Sequence, residues 1–505
     1  MNTTLTSWLI LAADPLPADS TAAAARALRG MHVEEVLLPV IIQLAIIIAV
    51  ARVFSLLFRK LGQSGVVGEI AAGLVLGPSL FGRFFPEMWS RVFHPAAHDP
   101  SVSAALFDAT LYWVFTILSQ IGLILLLFLV GLEFDFAPLR KNSRSAFFIS
   151  LTGLVLPFAL GSGLAVWMHP RLAADPDLAA QPPFLGFVLF LGTAMSITAL
   201  PILGRLMMEL NITRTRVGAI TITAAAMDDV AGWILLATVS AIVMGQFELA
   251  MTLRMLGSTL AFAAVMLLVV RPLFVRLARW LVVDGELSLN GLAITLLGVF
   301  LCSLATNLIG IFAIFGAFLF GAVLSTEQAF REAVTKRLRD VVGVLFLPIF
   351  FTYTGLRTDV QTVATAELWL MCGLVLATAI FGKLVGCGLA AWAGGFRPRE
   401  AACIGVMRNT RGLMELIVIN VGYQLGVIPQ SVFCMLVLMA LVTTVMTTPI
   451  LLRLVPGTEL EPWVETSVLR RGEQVLLERP APGTAGPVVT PRLNEPVAVG
   501  KVGNG

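Results

Sequence analysis

The stretch Ala224-Ala225-Ala226-Met227-Asp228-Asp229-Val230-Ala231-Gly232-Trp233 lies inside an apolar run from Val217 to Met244. A run of that length crosses a bilayer as a helix. Two adjacent carboxylates there have no obvious structural task. On translocon scales each costs about 2.5–3.5 kcal/mol at a helix centre, and such residues line ion or proton paths. With a helix start near Val217, Asp228 stands roughly 18 Å along the axis at about 1.5 Å per residue, close to mid-membrane. Helical neighbours point about 100° apart, so one carboxylate can meet a protein partner while the other faces a watery cavity. The structural alternative is a carboxylate pair merely satisfied inside a bundle.

Composition agrees with that reading. The 505 residues are 58% hydrophobic and only 13% charged, with a mean hydropathy of +0.91, whereas soluble proteins carry about 25% charged residues. The chain is expected to be an all-α polytopic membrane protein whose surroundings are the lipid bilayer, with no nucleic-acid partner. Cys302, Cys372, Cys387, Cys403 and Cys434 all fall in apolar runs without a paired spacing, and read as small buried hydrophobes. His94 and His98 have helical ligand spacing, but Asp99 is the one acid beside them, too few donors for a metal centre. No cofactor is expected.

Residues 1–34 hold an apolar patch, Trp8 to Ala13, too short to span and lacking a basic n-region, so they read as an N-terminal periplasmic segment. About thirteen candidate spans follow, near 35–57, 66–82, 109–134, 145–168, 183–208, 217–244, 252–281, 287–307, 309–325, 340–356, 366–393, 398–425 and 430–454. Residues 455–505 are rich in Pro, Gly and Val and read as a flexible cytoplasmic tail. Basic residues cluster after alternate spans: Arg59 and Lys60, Arg140 and Lys141, Arg214 and Arg216, Lys336 and Arg337, Arg397 and Arg399. That alternation puts the N-terminus outside and the C-terminus in the cytoplasm of a cell (inner) membrane. Arg83 and Arg91, on the outer side in this scheme, run against it.

The spans repeat. Gly131-Leu132-Glu133-Phe134-Asp135 closes the third and Gly355-Leu356-Arg357-Thr358-Asp359 closes the tenth. Gly68 and Gly73 in the second share their spacing with Gly316 and Gly321 in the ninth. Spans 1–6 therefore match spans 8–13, with span 7 as connector. By the charge pattern the third span exits inward and the tenth outward, so the repeats are inverted, as in many secondary transporters with sites near the midplane.

Further polar residues sit where apolar ones belong. Lys383 lies about ten residues, roughly 15 Å, from the cytoplasmic end of its span. Its natural counter-ion is the aspartate pair, because an unpaired ammonium there is expensive. Spans 5 and 12 occupy equivalent places and both look broken. The fifth holds Thr193, Ser196, Thr198 and Pro201; the proline removes a donor and frees carbonyls, and the hydroxyls suit a hard alkali cation. The twelfth holds Arg408-Asn409-Thr410-Arg411-Gly412 and Glu415. Arg411 and Glu415 are placed to pair at i, i+4, or each to balance a half-helix end. Back-bonding to the helix's own carbonyls is the ordinary alternative for the hydroxyls.

The segments LGQSGVVGEIAAGLVLGPSLFG, LLLFLVGLEFD, SITALPILGRLMMEL, AAAMDDVAGWILLA, FTYTGLRTDV and RNTRGLMELIVIN, spread over residues 35–454, resemble the second superfamily of monovalent cation:proton antiporters. That superfamily takes in bacterial sodium/proton antiporters, potassium-efflux antiporters and plant cation/proton exchangers. The resemblance implies the sodium/proton antiporter fold, with two broken helices crossing, and a homodimer. The dimer part would span about 35–134 and 287–356, the core part about 145–244 and 366–454, and the connector 252–281. It also implies that Asp229 is the essential carboxylate that holds the proton or the metal (Na⁺ or K⁺). Asp228 matches the position before it, and Lys383 the lysine that pairs there. Arg408 departs from the pattern, standing where relatives usually have an apolar residue.

Together these readings point to an antiporter exchanging protons for Na⁺ or K⁺, and not to an enzyme. Two protons, from Asp229 and Lys383, would move against each cation, which makes the cycle electrogenic. An intramembrane aspartyl protease needs carboxylates converging from separate elements, while Asp228 and Asp229 are consecutive. A cation channel or a transport-derived sensor is the remaining rival.

Overall fold

The structure is a computed structural model, and it describes residues 33–61, 63, 65–94, 104–132, 143–172, 182–198, 200–213, 215–243, 249–283 and 285–467. The first 32 residues, His98 with Asp99, Arg140 and Lys141, Arg214 and the tail beyond Ser467 lie outside these residues, as do the readings placed on them.

An apolar chain that must bond every backbone group internally becomes helix. The helices are α1 (Val33–Lys60), α2 (Gly65–Leu76), α3 (Ala104–Leu132), α4 (Ser143–Leu172), α5 (Phe184–Ser196), α6 (Leu200–Glu209) and α7 (Arg216–Val243). Next comes α8, which runs from Leu249–Val265 through a π-helical turn, Met266–Val270, into Arg271–Leu281. A two-residue antiparallel ribbon pairing Val282 with Leu287 leads on to α9 (Leu289–Ile309) and α10 (Ala313–Leu324). Helix α11 joins Gln328–Val341 to Leu347–Leu356 through a second π turn, Val342–Phe346. The remaining helices of ten residues or more are α12 (Ala366–Ala393), α13 (Pro398–Arg408), α14 (Leu413–Gln424) and α15 (Gln430–Leu454), with shorter ones at Phe81–Phe84, Pro86–Phe93 and Glu461–Glu465. Ten helical stretches among the described residues are long and apolar enough to cross a membrane. The chain is a multi-pass membrane protein.

The ends are fixed by polar caps. The Ser288 hydroxyl accepts the Gly291 N–H at 3.0 Å to open α9, and Gly310, at φ 99°, closes it in the left-handed region. At the start of α7, Thr215 Oγ1 accepts the Gly218 N–H at 2.9 Å and Glu459 Oε1 the Val217 N–H at 2.6 Å. Helix α11 begins well before the span expected near 340–356. Its first arm is amphipathic, burying Phe330, Ala333, Val334 and Leu338, and the charged opposite face hides such a helix from a hydropathy window. On that face Lys336 pairs with Glu286 and, chiefly by hydrogen bonding, holds its carboxyl below the usual glutamate value.

The helices pack in two groups, α1–α3 with α9–α11 and α4–α7 with α12–α15. In the first group glycines bring backbones into contact at several crossings, Gly68 of α2 on α1 and Gly316 of α10 on α9 among them. A Cβ on Gly131 or Gly321 would run into the facing backbone of α10 or α3, at Phe318 O and Phe128 O respectively. Gly73 and Gly355 join α2 to α11 in the same way, with Gly73 Cα 2.7 Å from where a Gly355 Cβ would lie. Close approach at small residues is how helices associate in lipid, where burial of apolar area gives little. Leu308 of α9 and Leu268 of α8 stay 78% and 75% exposed, so these helices present an apolar outer surface.

Gly321→Leu is expected to separate α3 from α10 and to cost at least the ~1–3 kcal/mol of ordinary overpacking. A melting midpoint in detergent that matches the wild type would refute this account of the crossing.

Candidate functional site

The site is built where two helices stop inside the bundle. Helix α5 ends at Ser196, Ile197 turns extended (φ −76°, ψ 149°), and α6 begins at Leu200. Pro201 therefore stands in the first turn of a new helix, where a missing N–H costs nothing; it does not kink a continuous one. Likewise α13 ends at Arg408, and Asn409–Gly412 separate it from α14.

A helix end leaves its last four carbonyls without intrahelical donors. In α5 each of them finds one. Thr193 O accepts the Ser196 hydroxyl at 2.8 Å, Ala194 O accepts Arg411 Nη1 at 2.9 Å, Met195 O accepts Arg411 Nη2 at 2.7 Å, and Ser196 O accepts Lys383 Nζ. Two buried cations thus face the negative end of the half-helix dipole. Three of these four carbonyls are occupied by the protein's own ammonium and guanidinium groups.

Arg411 is held in turn. Its Nη1 also reaches Glu415 Oε1 at 2.8 Å, in the first turn of α14. Its backbone N–H donates to Thr444 Oγ1 at 3.1 Å, and its carbonyl accepts that hydroxyl at 2.5 Å. The i, i+4 pair and the helix-end role, read as alternatives, occur together.

Asp228 and Asp229 sit in α7 at 0% and 2% exposure, and their surroundings differ. Asp228 is crowded. Oδ1 accepts the Ser150 hydroxyl of α4 at 2.6 Å, and Oδ2 accepts the Thr198 hydroxyl at 3.2 Å and Arg408 Nη2, with Lys383 Nζ 3.4 Å away. Lys383 therefore has three acceptors, Ser196 O, Thr198 Oγ1 (2.8 Å) and Asp228 Oδ2, which matches the three donors of an ammonium. Asp229 faces elsewhere. The Leu200 backbone amide, at the start of α6, bonds it, but its Oδ1 has no partner among the described residues.

Of the three hydroxyls read as ligands, Thr198 alone touches this cluster. Thr193 donates to Leu189 O at 2.7 Å and Ser196 to Thr193 O, both within α5. Ser150 and Thr444 were not singled out from sequence, since a hydroxyl within a span carries no pattern of its own. The Arg408 pairing with Asp228 was open to the argument used for Lys383, that a deep cation needs an anion.

A small cavity of about 30 Å³ lies at the seam between the two helix groups, lined by Ser119, Leu123, Phe350, Thr354, Asn420 and Gln424 among others. Arg357 stands in its wall. The chain has three tyrosines, and all three face this guanidinium, Tyr112 at 4.9 Å, Tyr423 at 5.1 Å and Tyr353 at 6.0 Å from Cζ to ring centre. Asn420 Oδ1 accepts its Nη1 at 3.1 Å. Cation–π contact disperses the charge without a carboxylate.

Residues 45–454 match the family model described as sodium/hydrogen exchanger, transmembrane. Cation/H(+) antiporter 20 of Arabidopsis thaliana is 38% identical over 421 residues, covering 81% of this chain and 47% of that protein. Na(+)/H(+) antiporter NhaS4 of Synechocystis sp. is 36% identical over 426 residues, covering 83% and 98%. K(+)/H(+) antiporter 1 of Saccharomyces cerevisiae is 30% identical over 417 residues, covering 81% and 45%. The chain spans about half the length of the plant and yeast proteins. The sodium proton antiporter MjNhaP1 of Methanocaldococcus jannaschii shares its fold with a TM-score of 0.53 at 12% identity, over 84% of this chain and all of that one.

Arg411→Met leaves two carbonyls and Glu415 buried without their partner, which is expected to cost about 3–5 kcal/mol. Arg411→Met with Glu415→Gln should recover part of it. Thermal unfolding in detergent measures both, and equal midpoints for wild type and the single variant would defeat the assignment.

Proposed function

Because this chain belongs to the sodium/hydrogen exchanger family, we propose that it is a secondary antiporter exchanging protons for Na⁺ or K⁺ across the cell (inner) membrane by alternating access. The observation that carries this reading is the contrast between the two aspartates. Asp228 is saturated by hydroxyls and cations, while Asp229, one residue on, keeps an unpartnered oxygen in a buried site. A buried carboxylate is costly until something positive joins it, and a proton and an alkali cation both qualify. Protonated, Asp229 holds no metal; ionised, it takes the cation. Because a proton and a cation compete for that one open oxygen, the two ions exchange.

Relatives are named for sodium, for potassium and for both, and oxygen ligands serve either ion.

The division into parts follows the packing. Asp228, Asp229, Ser150, Lys383, Arg408 and Arg411 all come from α4–α7 and α12–α15, which form the moving core, residues 145–244 and 366–454. Helices α1–α3 and α9–α11 form the part that dimerises, residues 35–134 and 287–356, with 252–281 as connector. Gly68 seats α2 on the backbone of α1 and Gly316 seats α10 on that of α9, the same contact in each half, which supports two inverted six-helix repeats. Counting each broken pair once gives thirteen crossings, with the N-terminus outside and the C-terminus in the cytoplasm. The small cavity at the seam, with Ser119, Gln120, Thr354 and Asn420 in its wall, is where water would start toward the core. Arg357 bridges the seam there, with Tyr112 on one side and Asn420 and Tyr423 on the other, so the core cannot slide without releasing it. An aspartyl-type enzyme fits less well, because the side chains of Asp228 and Asp229 do not converge on one point.

Asp229→Asn is expected to abolish cation/proton exchange in proteoliposomes while insertion and folding persist. Near wild-type exchange by that variant would remove the reading.

Charge movement provides a second test. If Lys383 gives up a proton when the cation enters, two protons cross per cation and an imposed membrane potential drives exchange. Lys383→Gln combined with Asp228→Asn should then be indifferent to potential. Indifference of the wild type would make exchange one for one and the Lys383–Asp228 contact structural only.

A further inference from the structure

Arg408 and Arg411 are both fully buried, three residues apart in the second break, yet they are bonded very differently. Arg411 works as a clamp, with carbonyl, carboxylate and hydroxyl partners on three helices. Arg408 donates to Asp228 Oδ2, lies against the Cys387 thiol, and leaves Nε and Nη1 without any hydrogen-bond partner among the described residues. A guanidinium has five donors in a rigid fork. One so sparsely used is a poor scaffold, but it remains a permanent positive charge.

That charge is surplus at Asp228, which already has Lys383 at 3.4 Å. One carboxylate facing two cations leaves the local cluster net positive, and Asp229 is the next residue. Arg408 lies near enough to Asp229 for its charge to act there as well. We propose that Arg408 is an affinity-determining residue of the exchange reaction: its fixed charge, paired with Asp228, weakens the hold of Asp229 on a monovalent cation. The inference rests on the antiporter reading above. It gives the unusual residue a chemical role, a site tuned to release its cation readily, since charge in a water-poor core acts over several ångströms.

Protons and cations meet the same repulsion, so apparent affinity must be measured at a pH high enough that protons no longer compete. Under that condition Arg408→Met should lower the half-saturating Na⁺ or K⁺ concentration of purified protein in liposomes by roughly tenfold or more. Arg408→Lys keeps the charge and should stay near wild type. Asp228→Asn with Arg408→Met removes one charge of each sign and should return affinity toward wild type. A merely structural arginine gives another result, a lower melting midpoint and maximal rate without tighter binding.

An unchanged or raised half-saturating concentration in an exchange-active Arg408→Met overturns the proposal. If Arg408→Met does not accumulate, Asp228→Asn is compared with Asp228→Asn/Arg408→Met. Tighter cation binding in the double variant supports the proposal, and equal or weaker binding refutes it. Absence of any exchange by the wild type is a separate result, which defeats the antiporter reading.

Discussion

The structure depends on how the last carbonyls of α5 are satisfied inside a membrane. A helix that stops in mid-bilayer exposes oxygens to a medium with no water to bond them, each costing several kcal/mol. Here Arg411 and Lys383 supply the donors for three of them, from the second break and from α12. These cations then need anions. Glu415 answers Arg411 and Asp228 answers Lys383, so one interrupted helix draws in four charged side chains from four other segments of the chain.

Such a network is not the cheapest way to hold helices together. Replacing buried ion pairs by well-packed apolar residues is often neutral or stabilising. Its retention in a bundle otherwise rich in Leu, Val and Phe points to what it supports. Asp228 and Glu415 have cations against them, while Asp229 keeps an oxygen with no partner among the described residues, open to an ion under the proposed exchange. The hydroxyls show the same division of labour. Thr193 and Ser196 settle their protons on α5 itself, while Thr198, in the break, links Lys383 to Asp228.

The rest of the protein gives this cluster a frame and an approach. Glycine crossings pull α3 onto α10 and α2 onto α11 until backbones touch, which favours a rigid body. The charged cluster lies wholly in the other helix group. Between the two runs a polar seam in which three tyrosines and Asn420 surround Arg357. Contacts of this kind are specific and less costly to break than a buried ion pair.

Much of this was legible in the residues. An apolar composition with Asp228, Asp229 and Lys383 deep in spans determined a membrane bundle with a buried charge cluster, because hydrocarbon penalises charge so heavily that such residues gather together. Interrupted spans at Pro201 and Arg408–Gly412 marked where the helices stop. The partners were not legible. Ser150 on Asp228, Thr444 on Arg411, Arg408 sharing Asp228 with Lys383, and the three tyrosines around Arg357 are brought together from segments far apart in the chain. The carbonyl oxygens of α5 looked available because sequence shows which donors a break removes, not which side chains fold back to replace them. Periodicity reports the cost of placing a charge in a helix. Only the tertiary structure decides what meets that charge there, since hydrogen bonds depend on ångström distances between helices that the one-dimensional order of residues does not contain.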